Sequence, residues 1–241
     1  MKKLLGLIAA TTLSTVVAGC ATTSEKQNYT EKLQEQAALA GRAATVLQQQ
    51  MLQPSQRRIP KDLVKKTRCI AVFPKVTQAG FILGGQRGRG LISCRQRSGD
   101  FTDAPPAVYS LSAASIGLQA GAAQRAVVLL FTTQQSVRAV LDAQVKLGSQ
   151  VSVSAGPTGY DQSVNSAAPI VAYGIARKGL YAGLNLGGGK VEFDRDANTA
   201  IYGPNPTPRK VLLQTPQVPQ SMQTYAGAVE DFTNEALQDS Q

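Results

Sequence analysis

The apolar positions of this chain change period several times, and each change predicts an element. Tyr29, Leu33, Ala37, Ala40, Ala44, Leu47 and Met51 recur at spacings of four and three, which predicts an amphipathic helix ending before Pro54. The stripe is alanine-rich and its polar face is mainly Gln and Glu. A membrane-surface helix would want bulkier apolar residues and a basic polar face, so docking on the domain is expected. Ile59-Pro60 opens a short basic helix from Lys61 to Lys66. Strands are predicted over about 68–74, 79–86 and 89–96, with Gly80, Gly84, Gly85, Gly88 and Gly90 marking close backbone contacts or bulges. Gly99-Asp100 makes a turn, and Ala104-Pro105-Pro106 breaks the chain.

Val108 to Ile116 and Ala126 to Phe131 read as further strands. Thr133 is the expected N-cap of a helix ending near Val145, whose inner face includes Val137, Val140 and Leu141. Val151 to Ala155 is a strand, followed by the turn composition Gly156-Pro157-Thr158-Gly159. Ile170 to Ile175, Leu180 to Leu186 and Val191 to Phe193 predict a terminal meander. Prolines 204, 206, 208, 216 and 219 mark a linker crossing the surface. A last helix over about 220–237 carries Met222, Tyr225, Val229, Phe232 and Leu237. The expected fold is α+β: one domain with a twisted, largely antiparallel, glycine-rich sheet packed with a few helices. The N- and C-terminal helices should dock on that sheet.

The first residues carry a different signal. Lys2 and Lys3 precede an apolar run from Leu4 to Val17, which is too short for a membrane span and suits a cleaved export signal over 1–19. The run ends Val17-Ala18-Gly19-Cys20, a match to the lipobox of bacterial lipoproteins, with an ordinary signal peptide as the alternative. On the lipobox reading Cys20 is lipidated, and several acyl chains hold a protein firmly on a bilayer. Ala21, with no Asp after the cysteine, then points to the periplasmic side of a Gram-negative outer membrane. Residues 20–27 would be a tether, 28–203 the binding domain and 204–241 a proline-rich linker with a helix. Cys69 and Cys94 remain as an even pair in predicted neighbouring strands. They are either a disulfide, which an oxidising periplasm permits, or two buried thiols.

Charge sharpens the picture. Between Arg57 and Arg97 stand eleven Lys or Arg (57, 58, 61, 65, 66, 68, 75, 87, 89, 95 and 97) against Asp62, a local charge of +10. The whole chain is also +10, so without Lys2 and Lys3 it is +8 and everything outside this window nets −2. Such segregation points to an anionic partner. The residues expected to meet phosphates are Arg57, Arg58, Lys61, Lys65, Lys66, Arg68, Lys75, Arg87 and Arg89.

Chemistry narrows the class further. The chain has no histidine, which removes Ser-His-Asp and Cys-His catalysis, histidine bases and histidine-ligated metals together. No catalytic residue, metal site or cofactor is expected. Asp194-Arg195-Asp196-Ala197-Asn198 resembles the start of an EF-hand loop but lacks the glycine and the closing glutamate, and reads as a capped turn. Gly187-Gly188-Gly189-Lys190 has Val191 where a phosphate loop needs Ser or Thr, and reads as a tight hairpin. Gly85-Gln86-Arg87-Gly88 has the form of a KH clamp but lies between strands. With no Trp and 5% aromatics, base-stacking platforms are scarce, so nucleic acid is not an expected partner.

Several stretches together resemble the SYLF domain: Ile59-Pro60, Ile70-Ala71-Val72-Phe73-Pro74, Ala79-Gly80-Phe81, Gly84-Gly85, Gly88-Arg89-Gly90 and Arg95. Gly117-Leu118-Gln119-Ala120-Gly121, Val128 to Phe131, Ala155 to Gly159, Gly179-Leu180-Tyr181-Ala182-Gly183 and Tyr202-Gly203 continue the match over about residues 40–203. The resemblance implies a non-enzymatic module that binds anionic phospholipid head groups. Eukaryotic members recognise phosphoinositides, and a yeast relative also binds actin; a periplasmic member would meet other anionic lipids. The chain departs from the family at Phe101, where many relatives carry Trp, which bears on interfacial anchoring, and at Cys69, a position often small. The alternative function is an anchored adaptor whose basic face docks an acidic periplasmic protein or cell-wall polymer.

Overall fold

The computed structural model describes residues 20–80, 83–116, 121–148, 151–154, 168–176, 179–180, 186 and 188–238. The leader, the turn at 156–159 and the loop around it lie outside the described residues. The elements are α1 (Cys20–Met51), a 3-10 turn (Ser55–Arg57), α2 (Lys61–Lys66), β1 (Cys69–Gly80), β2 (Leu83–Cys94), β3 (Ala107–Ile116) and β4 (Gly121–Phe131). Then come α3 (Gln134–Leu141), β5 (Gln144–Leu147), β6 (Val151–Ser154), β7 (Ile170–Ala176), β8 (Gly179–Leu180) and β9 (Gly189–Phe193). The chain continues with α4 (Arg195–Tyr202), α5 (Pro208–Gln214), a 3-10 turn (Gln220–Met222) and α6 (Gln223–Gln238). This is the expected α+β architecture, with one curled sheet and helices at both ends of the chain.

The nine described strands form one sheet in the order β5-β9-β3-β2-β1-β4-β7-β6, with β8 on β7. Every described pairing is antiparallel except β6 with β7. Two cores lie on its two faces. Ile70, Val72, Leu91, Val108, Val128 and Leu130 meet α1, α2, α4 and α6. Ala71, Phe73, Ile92, Tyr109, Leu129 and Phe131 pack with Val140 of α3, Val145 and Leu147 of β5, and Leu212 of α5. A strand buried on both faces loses the alternation of polar and apolar residues, which is why Cys69 to Phe73 reads as a continuous apolar run.

The region expected as three short strands is one long hairpin of two 12-residue strands. The register of β1 shifts between Val72 and Lys75 against β2, and between Phe73 and Val76 against β4. This bulge accommodates Pro74 inside a central strand, where its missing N–H would otherwise break a ladder. It also inverts the alternation: Ile70 and Val72 face the helical core, while Val76 faces the other one. Gly88 and Gly90 lie against the bulge; a Cβ on Gly90 would sit 2.4 Å from the Val72 carbonyl oxygen and 2.5 Å from the Phe73 ring. The two glycines are there for close approach of the bulged backbone.

Other expectations need correction. Among the described residues the first helix runs over Cys20–Met51, so it takes in the stretch expected as a tether. Its buried face is rotated from the expected stripe: Gln36, Leu39, Ala40, Ala43, Ala44, Val46 and Leu47 are buried, while Tyr29 is exposed. The small residues let α1 pack closely along α6. Helix α3 stops at Leu141: Ala143 takes a positive φ of 68° and β5 starts at Gln144, so Val145 is a strand residue. Strand β9 pairs with β3 and β5 at one end of the order, whereas β7 and β8 lie toward the other, so there is no terminal meander among the described residues. The 204–219 stretch contains α5, whose Val211 and Leu212 are buried, and is no simple surface linker. At the end of α6, Leu237 is 44% exposed.

Candidate functional site

The described residues gather the expected cations into two separate places. The first is where β1 begins and β2 ends. Thr67 ends α2, its hydroxyl donating to the Leu63 carbonyl at 2.7 Å. The Arg68 N–H donates to the Phe131 carbonyl at 2.7 Å, and the Arg95 N–H donates to the Arg68 carbonyl at 2.8 Å. Cys69 and Cys94 are opposite one another in the register and disulfide-bonded, with Cα atoms 4.0 Å apart. Arg68 and Arg95 are therefore the next residues outward from this link.

Around them lies an open basin of about 650 Å³ lined by Lys65, Lys66, Arg68, Arg95, Gly99, Thr132 and Thr133. None of these described lining residues is acidic. The Arg95 guanidinium is spread over the floor: Nε donates to the Thr67 carbonyl at 2.6 Å, Nη1 to Gly99 at 2.7 Å and Nη2 to Lys65 at 2.9 Å. It also stacks 5.1 Å above the centre of the Phe101 ring. Burial lowers its pKa, Asp100 opposes the shift and Arg68 adds to it. Arginine nevertheless keeps its charge, so Arg95 supplies a fixed positive floor, while exposed Lys66 and Arg68 can turn donors toward an incoming anion. Phe101 is only 1% exposed, so it is the platform for Arg95 and not an interfacial anchor.

The second place is the sheet face at the middle of the β1–β2 hairpin, where Lys75 and Arg87 are exposed. Arg68 and Thr77, the partner of Arg87, are nine residues apart on one strand, which at about 3.3 Å per residue separates the two places by roughly 30 Å. The nine expected residues thus form no single patch. Two of them hold the fold together instead. Arg58 pairs with Glu235 of α6 and donates to the Gln53 carbonyl. Arg89 pairs with Glu35 of α1 at 2.6 Å and with Asp194 at 3.1 Å, the residue that caps α4. Arg57 is exposed in the first 3-10 turn, and Lys61 is half-buried at the start of α2.

Sequence reasoning left Arg95, Thr132 and Thr133 out of the expected binding set. A signal for Arg95 existed: Arg68-Cys69 and Cys94-Arg95 mirror one another, as two strand ends held at one register position would. Thr133 is the cap that the sequence predicts, accepting the Ser136 N–H at 3.2 Å, and it lines the basin as well.

The Ysc84 family model, described as Las17-binding protein actin regulator, matches residues 112–232. LAS seventeen-binding protein 3 of Saccharomyces cerevisiae is 33% identical over 162 residues, covering 64% of this chain and 34% of the relative. Protein YSC84 of the same yeast is 30% identical over 169 residues, covering 67% and 35%. SH3 domain-containing YSC84-like protein 1 of Xenopus laevis is 28% identical over 150 residues, covering 60% and 44%. The chain therefore spans about a third to under half of the length of these relatives. The match runs from the middle of β3 through β4 to β9 and α3 to α5 into α6, half of the chain: the chain belongs to the Ysc84 family.

Proposed function

We propose that this chain is a non-enzymatic binding module whose strand-end basin takes the phosphate of anionic phospholipid head groups. The observation that carries this reading is the basin itself: Lys65, Lys66, Arg68 and Arg95 converge with two threonines and no acidic lining residue. Each cation near an anionic leaflet contributes on the order of 1 kcal/mol, so a few acting together give a substantial and salt-sensitive attraction. The proposal includes lipidation at Cys20 and a place on the periplasmic side of the outer membrane, supported by Val17-Ala18-Gly19-Cys20 and the apolar run before it. A lipid anchor would keep the basin within reach of head groups.

The test is sedimentation of unlipidated chain, expressed without residues 1–20, with vesicles of phosphatidylcholine alone or with added phosphatidylglycerol or cardiolipin. Binding only to the anionic vesicles, weakened by salt and by Lys66→Glu with Arg68→Glu, is the expected result. No binding to any vesicle at low salt would sink the head-group reading.

A second reading is an anchored adaptor that docks an acidic protein or cell-wall polymer through the same basin. It is favoured by the names of the relatives, which describe Las17-binding and SH3 domain-containing proteins. Loss of vesicle binding together with retained, Arg68-dependent capture of an acidic peptide or anionic glycan would select it.

A further inference from the structure

The exposed sheet face far from the basin joins cations of the sequence window, Arg87 among them, to Lys146 and Lys190, which lie outside it. Strand register places Arg87 opposite Ser112, Ser112 opposite Lys190, and Lys190 opposite Lys146. Directly paired residues point to one side of a sheet, and neighbouring strands lie about 4.8 Å apart. Arg87, Ser112, Lys190 and Lys146 therefore form one row across β2, β3, β9 and β5, roughly 14 Å long. The adjacent row on the same face is Lys75, Arg89, Ser110, Glu192 and Gln144. An open hollow of about 460 Å³ lies between the rows, lined by Arg87, Gly88, Arg89, Ser110, Ser112, Lys190 and Glu192 among others.

The charges in this hollow are not equally available. Arg89 is held by Glu35 and Asp194. Lys190 pairs with Glu192 at 2.9 Å, and Gln144 also donates to Glu192 at 3.0 Å. Arg87 and Lys146 are exposed and make no ion pair among the described residues. Two cations without a counter-ion thus flank a serine hydroxyl and a lysine shared with a solvent-exposed carboxylate. Such a set offers charge-assisted donors plus a hydroxyl to an oxyanion. Arg87 and Lys190 stand two strands apart, roughly 10 Å between backbones, with Ser112 on the strand between them, a gap their long side chains can close around one phosphate.

We propose that this face is a second, independent binding site for phosphate groups, with Arg87 and Lys190 as its principal ligands, Ser112 between them and Lys146 at its rim. Glu192 is the internal competitor: an arriving phosphate takes Lys190 from it. The site lies roughly 30 Å along the strands from the basin, so one molecule can hold two phosphate-bearing ligands at once.

The experiment follows side-chain and backbone NMR signals of the full chain during titration with inorganic pyrophosphate, and in parallel with vesicles containing phosphatidic acid. The expected result is a saturable shift at Arg87, Ser112 and Lys190. It should weaken about tenfold or more in R87Q/K190Q, since two charge-assisted contacts are lost. It should persist in K66Q/R68Q, which separates this site from the basin, and strengthen in E192Q, which frees Lys190. Shifts with pyrophosphate identify a site for soluble phosphate, and vesicle-induced shifts at Ser112 that persist in K66Q/R68Q but vanish in R87Q/K190Q identify a lipid source. An absent shift with both probes, or one unchanged in R87Q/K190Q variants that melt like the parent, would overturn the proposal.

Discussion

Cys69 and Cys94 are register partners at one end of the β1–β2 hairpin, and the residue directly outside each is an arginine of the basin. The disulfide closes a loop of sequence separation 25 and lies buried beneath the cations it spaces. We expect Cys69→Ser with Cys94→Ser, or reduction, to lower stability by about 3 kcal/mol, mainly by freeing the unfolded chain. Denaturant midpoints with and without reductant measure it; coincident curves would show that the link contributes nothing.

Gly90 faces the bulge with no room for a side chain. Gly90→Ala should destabilise by about 2 kcal/mol, because the Val72 carbonyl and Phe73 ring would have to move within a buried sheet. Gly41 is the control: it lies in α1, and a methyl group added there would meet nothing within 4 Å, so Gly41→Ala should stabilise by about 0.5–1 kcal/mol. Equal and small effects of the two substitutions would refute the packing argument.

Asn198 stands in for a missing strand partner. From within α4 its side chain accepts the Val108 N–H at 2.9 Å and donates to the Val108 carbonyl at 2.8 Å, with all of these groups buried. Asn198→Ala would leave the Val108 N–H unsatisfied, while the Val108 carbonyl keeps the Asp194 N–H at 3.0 Å, and should cost about 2 kcal/mol. A loss below about 1 kcal/mol in urea unfolding would mean that water replaces the amide.

Tyr109, Tyr225 and Tyr202 bury their hydroxyls against carbonyls, of Val140, Leu91 and Pro106 respectively. Burial raises each of their pKa values well above the ordinary tyrosine range. The folded form therefore holds protons that the unfolded form releases above about pH 10, so this contribution is complete below pH 10 and lost as pH rises beyond it. We expect stability to fall steeply above about pH 10, with tyrosinate absorbance rising together with unfolding. Tyrosinate formation at these three residues in a still-folded protein would contradict this.

Arg89 and Arg68 are neighbours in the charge count but not in role. Arg89→Gln should lower stability by less than about 1 kcal/mol, because its pairs are partly exposed, and leave binding to anionic vesicles at the basin unchanged. Arg68→Gln should do the reverse. Vesicle sedimentation alongside thermal unfolding distinguishes them, and equal binding losses would show that the two places act as one surface.

The sequence by itself determined the elements whose signals are local. Pro60 and Lys61 to Lys66 set α2, Thr133 set the start of α3, and Tyr225, Val229 and Phe232 set the inner face of α6. The continuous apolar runs of β1 and β4 identified strands, and their central place in the sheet, buried on both faces, accounts for the missing alternation. Tertiary structure decided what depends on contacts distant in sequence. The glycines of β2 signal close approach or bulges in the sequence, but that the bulge lies at Pro74 of the partner strand, against Gly88 and Gly90, is seen only when the two strands are paired. Val211 and Leu212 look like linker residues until the second core is found to need a cover. Charge counting located the cationic window but could not divide it, because whether an arginine meets solvent or Glu35, Glu235 or Asp194 is set by how the terminal helices pack. The row that joins Arg87 to Lys190 and Lys146 is a property of strand register alone, and register across β2, β3, β9 and β5 is fixed only when the sheet is assembled.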